Sequence, residues 1–192
     1  WNDNRLNENT EIRYYQNIKG QVKDDRALIV EQINFNNRYM EEFKFANKII
    51  ETNNRVKMHS LGLIVRNFTQ YSDFDKKGNI YETLVNSSEI KILKNHTIVN
   101  GIRELEEKYN YINRMETIHY DAIMTHVIVP INLSVKFSDG SIQKPELIYN
   151  YKFQNLILSL LQIMNEKNKV YNEALSEIDL ITRLINIELN EE

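Results

Sequence analysis

The chain has 192 residues, 24 basic against 27 acidic side chains for a net charge of −3, five glycines, two prolines and no cysteine. That length can bury a real core, and so few breakers exclude the many tight turns of an all-β fold. The missing cysteines exclude disulfides, thiolate metal sites and cysteine nucleophiles, and the lack of a basic surplus argues against a nucleic-acid partner.

Residues 2 to about 52 contain one glycine and no proline, and their apolar residues recur at helical spacing. Tyr15, Val22, Ile29, Phe43 and Ile50 fall on a single seven-residue repeat that Asn36 completes. The pattern predicts one long helix with a bundle or coiled-coil seam, spanning about 75 Å at the usual helical rise. Asn53-Asn54 then allows a turn. A second helix is predicted over 55–72, with Val56, Leu63, Ile64, Phe68 and Tyr71 on one face. The stretch SDFDKKGN, 72–79, reads as a polar loop. Asp73, Asp75 and Gly78 have part of a calcium-loop spacing, but Lys77 fills a ligand slot and Leu84 stands where the bidentate Glu belongs. Ile80 to Asn86 and Glu89 to Lys94 read as two short helical pieces joined at Ser87-Ser88.

The next long helix is predicted to start at Thr97 as N-cap, with a stripe of Ile98, Ile102, Leu105, Tyr109, Ile112, then Met115 or Glu116, and on through Ala122, Ile123 and Val127. Pro130 must kink or end it. Beyond it Leu133, Val135 and Phe137 alternate before SDGS, which is a hairpin signal. A kinked helix to about 136 followed by a loop is the preferred reading. A last helix, about 146–190, follows Pro145 and is the most apolar. The expected fold is therefore all-α, a single domain over 1–192. It is an elongated antiparallel bundle of three long helices plus a shorter broken one.

Residues with chemistry are few. Glu116-x-x-His119 puts a carboxylate and an imidazole on one helix face, the spacing used by carboxylate-bridged metal bundles, but no second copy of that pair exists. No metal and no cofactor is therefore expected. A strict seven-residue seam from Ile98, Leu105 and Ile112 lands on His119 and His126, with Glu116 and Ile123 between them. That would bury a polar layer of Glu116, His119 and His126, a candidate small-molecule or proton-sensing pocket. The favoured alternative is drift of the 3.6-residue period, which leaves both histidines at the core margin. No phosphate loop, nucleophile elbow or zinc-protease motif is present, so a non-enzymatic role is expected.

Three stretches together carry a resemblance: WNDNR with the charged helix after it, YETLVNSSEIKIL, and the closing YKFQNLILSLLQIMNEKNKVYNEALSEIDLITRLINIEL. They resemble the DUF6090 family of bacterial membrane proteins, which have a short basic cytoplasmic start, one transmembrane helix and a helical extracytoplasmic domain. The family's middle motif corresponds here to Tyr81, Leu84, Ser87, Ser88, Ile90 and Ile92, with Ser88 where Gly is usual. The resemblance implies a domain in the periplasm, anchored in the inner membrane by a span before Trp1, with an accessory, scaffold or sensor-like role. Trp1 would then be the membrane-interface residue, its ring apolar and its N–H wet. The family brings no catalytic residues to carry over. A homodimer, or another membrane-protein partner, is also expected. The early seam of Ile12, Tyr15, Ile18 and Val22 could stay uncovered unless the segment from Ile181 to Leu189 returns over it, and Asn36 could fix the register by pairing with its twin.

Overall fold

The computed structural model describes residues 2–191, so Trp1 lies outside the described residues. Helix takes up 83% of the described residues, and strand among them is confined to one two-stranded pair. The helical-bundle class read from the seams is the class observed.

Helix α1 (Asn2–Glu51) is unbroken. It stops because Asn53 takes a left-handed φ of 46°. The Asn53 N–H then bonds the Ile50 carbonyl and the Asn54 N–H bonds the Ile49 carbonyl, both at 2.9 Å. This paired closure satisfies carbonyls that a helix end otherwise leaves open. The Asn54 side chain accepts from the Lys57 N–H at 3.3 Å and starts the next segment. That segment is helical but broken: a 3-10 turn at Arg55–Lys57, helix α2 (Met58–Val65), and a second 3-10 turn at Arg66–Thr69. Its predicted inner face is corrected accordingly. Leu61, Val65 and Phe68 are buried, whereas Val56 and Leu63 are exposed, because 3-10 turns advance three residues per turn and rotate the phase.

Helix α3 (Ile80–Asn86) and a 3-10 turn at Glu89–Ile92 meet at Ser87-Ser88, as expected. Helix α4 (His96–Ala122) begins one residue before Thr97. Its cap is Asn95, whose side chain accepts from the Thr97 and Ile98 N–H groups at 3.0 and 3.2 Å. Pro130 neither ends nor breaks the run. A π-helical turn at Ile123–Val127 intervenes, and helix α5 (Ile128–Ser134) resumes with Pro130 in its first turn, where a missing N–H is tolerated. The loop expected after 136 is a hairpin instead. Strands β1 (Val135–Lys136) and β2 (Ser141–Ile142) pair antiparallel, with Val135 opposite Ile142. Asp139 accepts from the Ser141 N–H at 2.9 Å, and Gly140 turns the chain at φ 72°. Val135 and Ile142 are both buried, which supplies the apolar gain that a free loop would lack. A single turn, α6 (Pro145–Ile148), precedes α7 (Tyr151–Leu189), and the Asn150 side chain accepts from the Phe153 N–H at 3.0 Å.

The chain divides into two compact units. One holds α1 up to Glu31, residues Phe74–Ile112, and the chain from Val170 onward. It buries Tyr15, Ile18 and Val22 of α1, Ile98 to Tyr109 positions of α4, and Ile178, Ile181 and Ile185 of α7. The start of the α1 seam is therefore covered within a single chain, and only Ile12 of the four early positions is exposed. Two buried carboxylates fasten loops here. Glu11 accepts from the Lys94 N–H (2.7 Å) and the Tyr15 hydroxyl (3.1 Å). Asp25 accepts from the Lys77 N–H (2.8 Å) and the Tyr109 hydroxyl (3.2 Å). The 74–79 loop is thus held through its backbone by a helix carboxylate.

The other unit comprises Gln32–Asp73 and Asn113–Lys169. Its core includes Phe43, Phe68 and Phe153, with Phe43 edge-on to Phe68 at 4.4 Å and Phe68 stacked on Phe153 at 5.9 Å. Such offset geometries add to simple area burial. Asn36 is buried in this unit and donates to the Met164 carbonyl and to Asn168 Oδ1, both at 2.8 Å. Both of these partners lie on α7 of the same chain.

Candidate functional site

The inward positions of α4 run Ile112, Glu116, His119, and the next inward residues are Ile123, Val127 and Ile131. Steps of four in succession are what a π turn imposes, because it inserts one extra residue. Up to residue 119 the seven-residue seam therefore holds. Glu116 and His119 are buried, and the burial of His119 corrects the favoured reading that placed both histidines at the margin. Beyond it the seam slips by one, so Val127 replaces His126, and His126 is exposed. The structure brings two of the three candidates together and sends the third elsewhere.

The pair acquires a partner that the sequence reading missed. Lys167 of α7 is 1% exposed. Its ammonium donates to the Ser72 carbonyl at 2.6 Å, faces His119 Nδ1 at 3.5 Å, and lies 6.0 Å from the centre of the Tyr71 ring. The signal for it was present. Phe153, Leu160, Lys167, Ala174 and Ile181 form a seven-residue repeat of α7, with a lysine at one core position. Tyr71 packs edge-on to His119 at 6.2 Å and to Tyr120 at 5.6 Å. Beside this cluster opens a cleft of about 310 Å³, lined by Tyr71, Asp73, Asn113, Glu116, Thr117 and Tyr120.

Electrostatics follow from burial. Desolvation, aided by the Lys167 charge, pushes the His119 imidazole down to about 3. The ring is neutral over the physiological range, and with an ammonium against Nδ1 its proton belongs on Nε2. Nε2 is itself buried without a partner among the described residues. Desolvation also pulls Lys167 down to about 8, while the charges of Glu116 and Asp73 hold it up. The charged ammonium survives at neutral pH because carboxylates stand near it.

His119 takes its proton near pH 3 when folded but near its ordinary 6.5 when unfolded. Between those values the unfolded chain binds the extra proton, so this group removes stability as pH falls from 6.5 toward 3. His119→Gln keeps an acceptor toward Lys167 and cannot titrate. Its urea-unfolding free energy is expected to fall less steeply over pH 6.5 to 4, the difference approaching about 1.4 kcal/mol per pH unit. Parallel slopes for the two proteins would show that His119 is not held neutral.

Among the described residues no group of three or more His, Asp or Glu side chains is arranged to hold a metal ion. No family model, no curated protein and no solved structure matches the chain.

Proposed function

We propose that the chain is a non-enzymatic, accessory or sensor-like helical domain held at the outer face of a bacterial inner membrane, with the buried Glu116–His119–Lys167 cluster as its responsive element. One observation carries the sensing part. Titratable side chains of α4 and α7 and the backbone of Ser72 are closed on one another, so a proton or ligand that alters any member alters the packing of three segments. A catalytic group must instead aim its reactive atom at a substrate. The membrane position rests on the resemblance of WNDNR, YETLVNSSEIKIL and the closing helix. Ser88 adds support: it takes φ 59°, a left-handed backbone that the glycine of the resembled motif would adopt freely.

Labelling of the full-length protein tests this position. Residues 1–192 contain no cysteine, so Ser176→Cys at an exposed site of α7 gives this domain a single thiol, with any cysteine encoded upstream replaced by serine. It is expected to react with a membrane-impermeant maleimide in intact spheroplasts, and the upstream gene is expected to encode about 20 apolar residues preceded by basic ones. Recovery of the full-length protein in the soluble cytoplasmic fraction overturns the reading.

The cleft favours a second reading, a small-molecule-binding bundle. Two tyrosines, two carboxylates, an amide and a hydroxyl line its 310 Å³, enough polar groups to orient a small polar ligand.

A further inference from the structure

We propose that the groove beside the π turn binds a free fatty acid, its chain in the groove and its carboxylate at Lys152. The groove lies within the second unit and encloses about 530 Å³. It is where His126 arrives once the seam has slipped. Val129, Leu133, Leu156 and Ile163 form its walls, and buried Phe153 and Leu160 form its floor. Val129 and Leu133 remain 57% and 55% exposed, so the chain leaves this apolar surface open.

Size and charge choose the occupant. A volume of this order matches a small-molecule site, whereas a protein partner needs roughly 800 Å² from each side. The lining contains Lys152 and His126 and no acidic residue. Lys152 has no carboxylate partner among the described residues. An apolar trough with an unpaired ammonium at its edge is complementary to an alkyl chain ending in an anion. Asn155 and Ser159 line the same groove and add neutral hydrogen-bonding groups beside the cation. The inference does not depend on the buried cluster or on the membrane position.

Titration calorimetry of the full chain with dodecanoate, below its micelle concentration, tests it, with dodecanol as the uncharged control. One dodecanoate per chain is expected. Lys152→Glu should weaken dodecanoate roughly tenfold, the size of one charge-assisted contact, while leaving dodecanol unchanged. Ser159→Trp, at an exposed lining position, should fill the groove and abolish both, with circular dichroism showing an intact fold. Failure of the wild type to bind dodecanoate overturns the proposal, as does unchanged binding in both variants. So does a self-association that Ser159→Trp abolishes in a protein that ignores dodecanoate, since a second copy would then be the occupant.

Discussion

Lys167→Met is expected to destabilise the protein by about 3–5 kcal/mol, the loss typical of breaking a buried charge pair by removing one partner. The lysine is buried with its ammonium on the Ser72 carbonyl, and methionine removes that hydrogen bond. It also removes the positive charge whose field Glu116 shares, and Glu116 is buried too. Keeping a carboxylate charged in that environment costs more once the cation is gone. The double variant Glu116→Leu with Lys167→Met is expected to recover most of the loss. Well-packed apolar replacements for interacting buried charges are often neutral or better. Urea-unfolding midpoints, with unchanged slopes, are the measurement. A single variant as stable as wild type would mean that the charges contribute nothing to holding α4, α7 and the 71–73 segment together.

The long helices were legible because their signal is repetitive. Buried residues of α1 sit at Tyr15, Val22, Ile29, Asn36, Phe43 and Ile50, the very repeat seen in the sequence. The breaks were less legible, because each depends on a single backbone event. Nothing local announces that the helix will widen at Ile123–Val127. That one extra residue decides why His119 is inside and His126 outside. The strict seam holds before the π turn and a shifted seam runs after it, so neither one period nor a uniform drift describes the whole helix. The hairpin is signalled locally by the Asp139-Gly140 turn, but two-residue strands are marginal without tertiary cover, which the local sequence does not show. The candidate site was half legible. Glu116 and His119 came from spacing along one helix, whereas Lys167 joins them only through the packing of α7 on α4. A lysine on an apolar repeat is the clue to seek, because an ammonium is rarely buried without partners.

Two glycine substitutions should move stability in opposite directions although propensity predicts the same direction for both. Alanine is favoured over glycine inside a helix by about 1 kcal/mol. Gly20 lies in α1 with nothing within 4 Å of where a Cβ would stand, so Gly20→Ala is expected to stabilise the protein by roughly 0.5–1 kcal/mol. Gly62 lies in α2, where a Cβ would stand 1.9 Å from the Gly140 carbonyl oxygen and 3.1 Å from the Gly140 carbonyl carbon. The obstruction is backbone and cannot rotate aside. Gly140 cannot yield easily either, because its φ of 72° sets the turn. The hairpin is further tied to this region by Arg66, which donates from Nη1 to the Phe137 carbonyl at 2.8 Å. Gly62→Ala must therefore push β1 and β2 off α2, exposing Ile142 and Val135, which are buried in the native fold. The expected cost is about 3 kcal/mol, the upper range for overpacking where the neighbour cannot adjust. Thermal or urea unfolding reads both variants, and limited proteolysis reads the hairpin directly. Gly62→Ala should be cut at 136–141 well before wild type, while Gly20→Ala should be cut no faster. If Gly62→Ala is instead as stable and as resistant as wild type, the close approach of α2 to the Gly140 turn is not a feature of the folded protein.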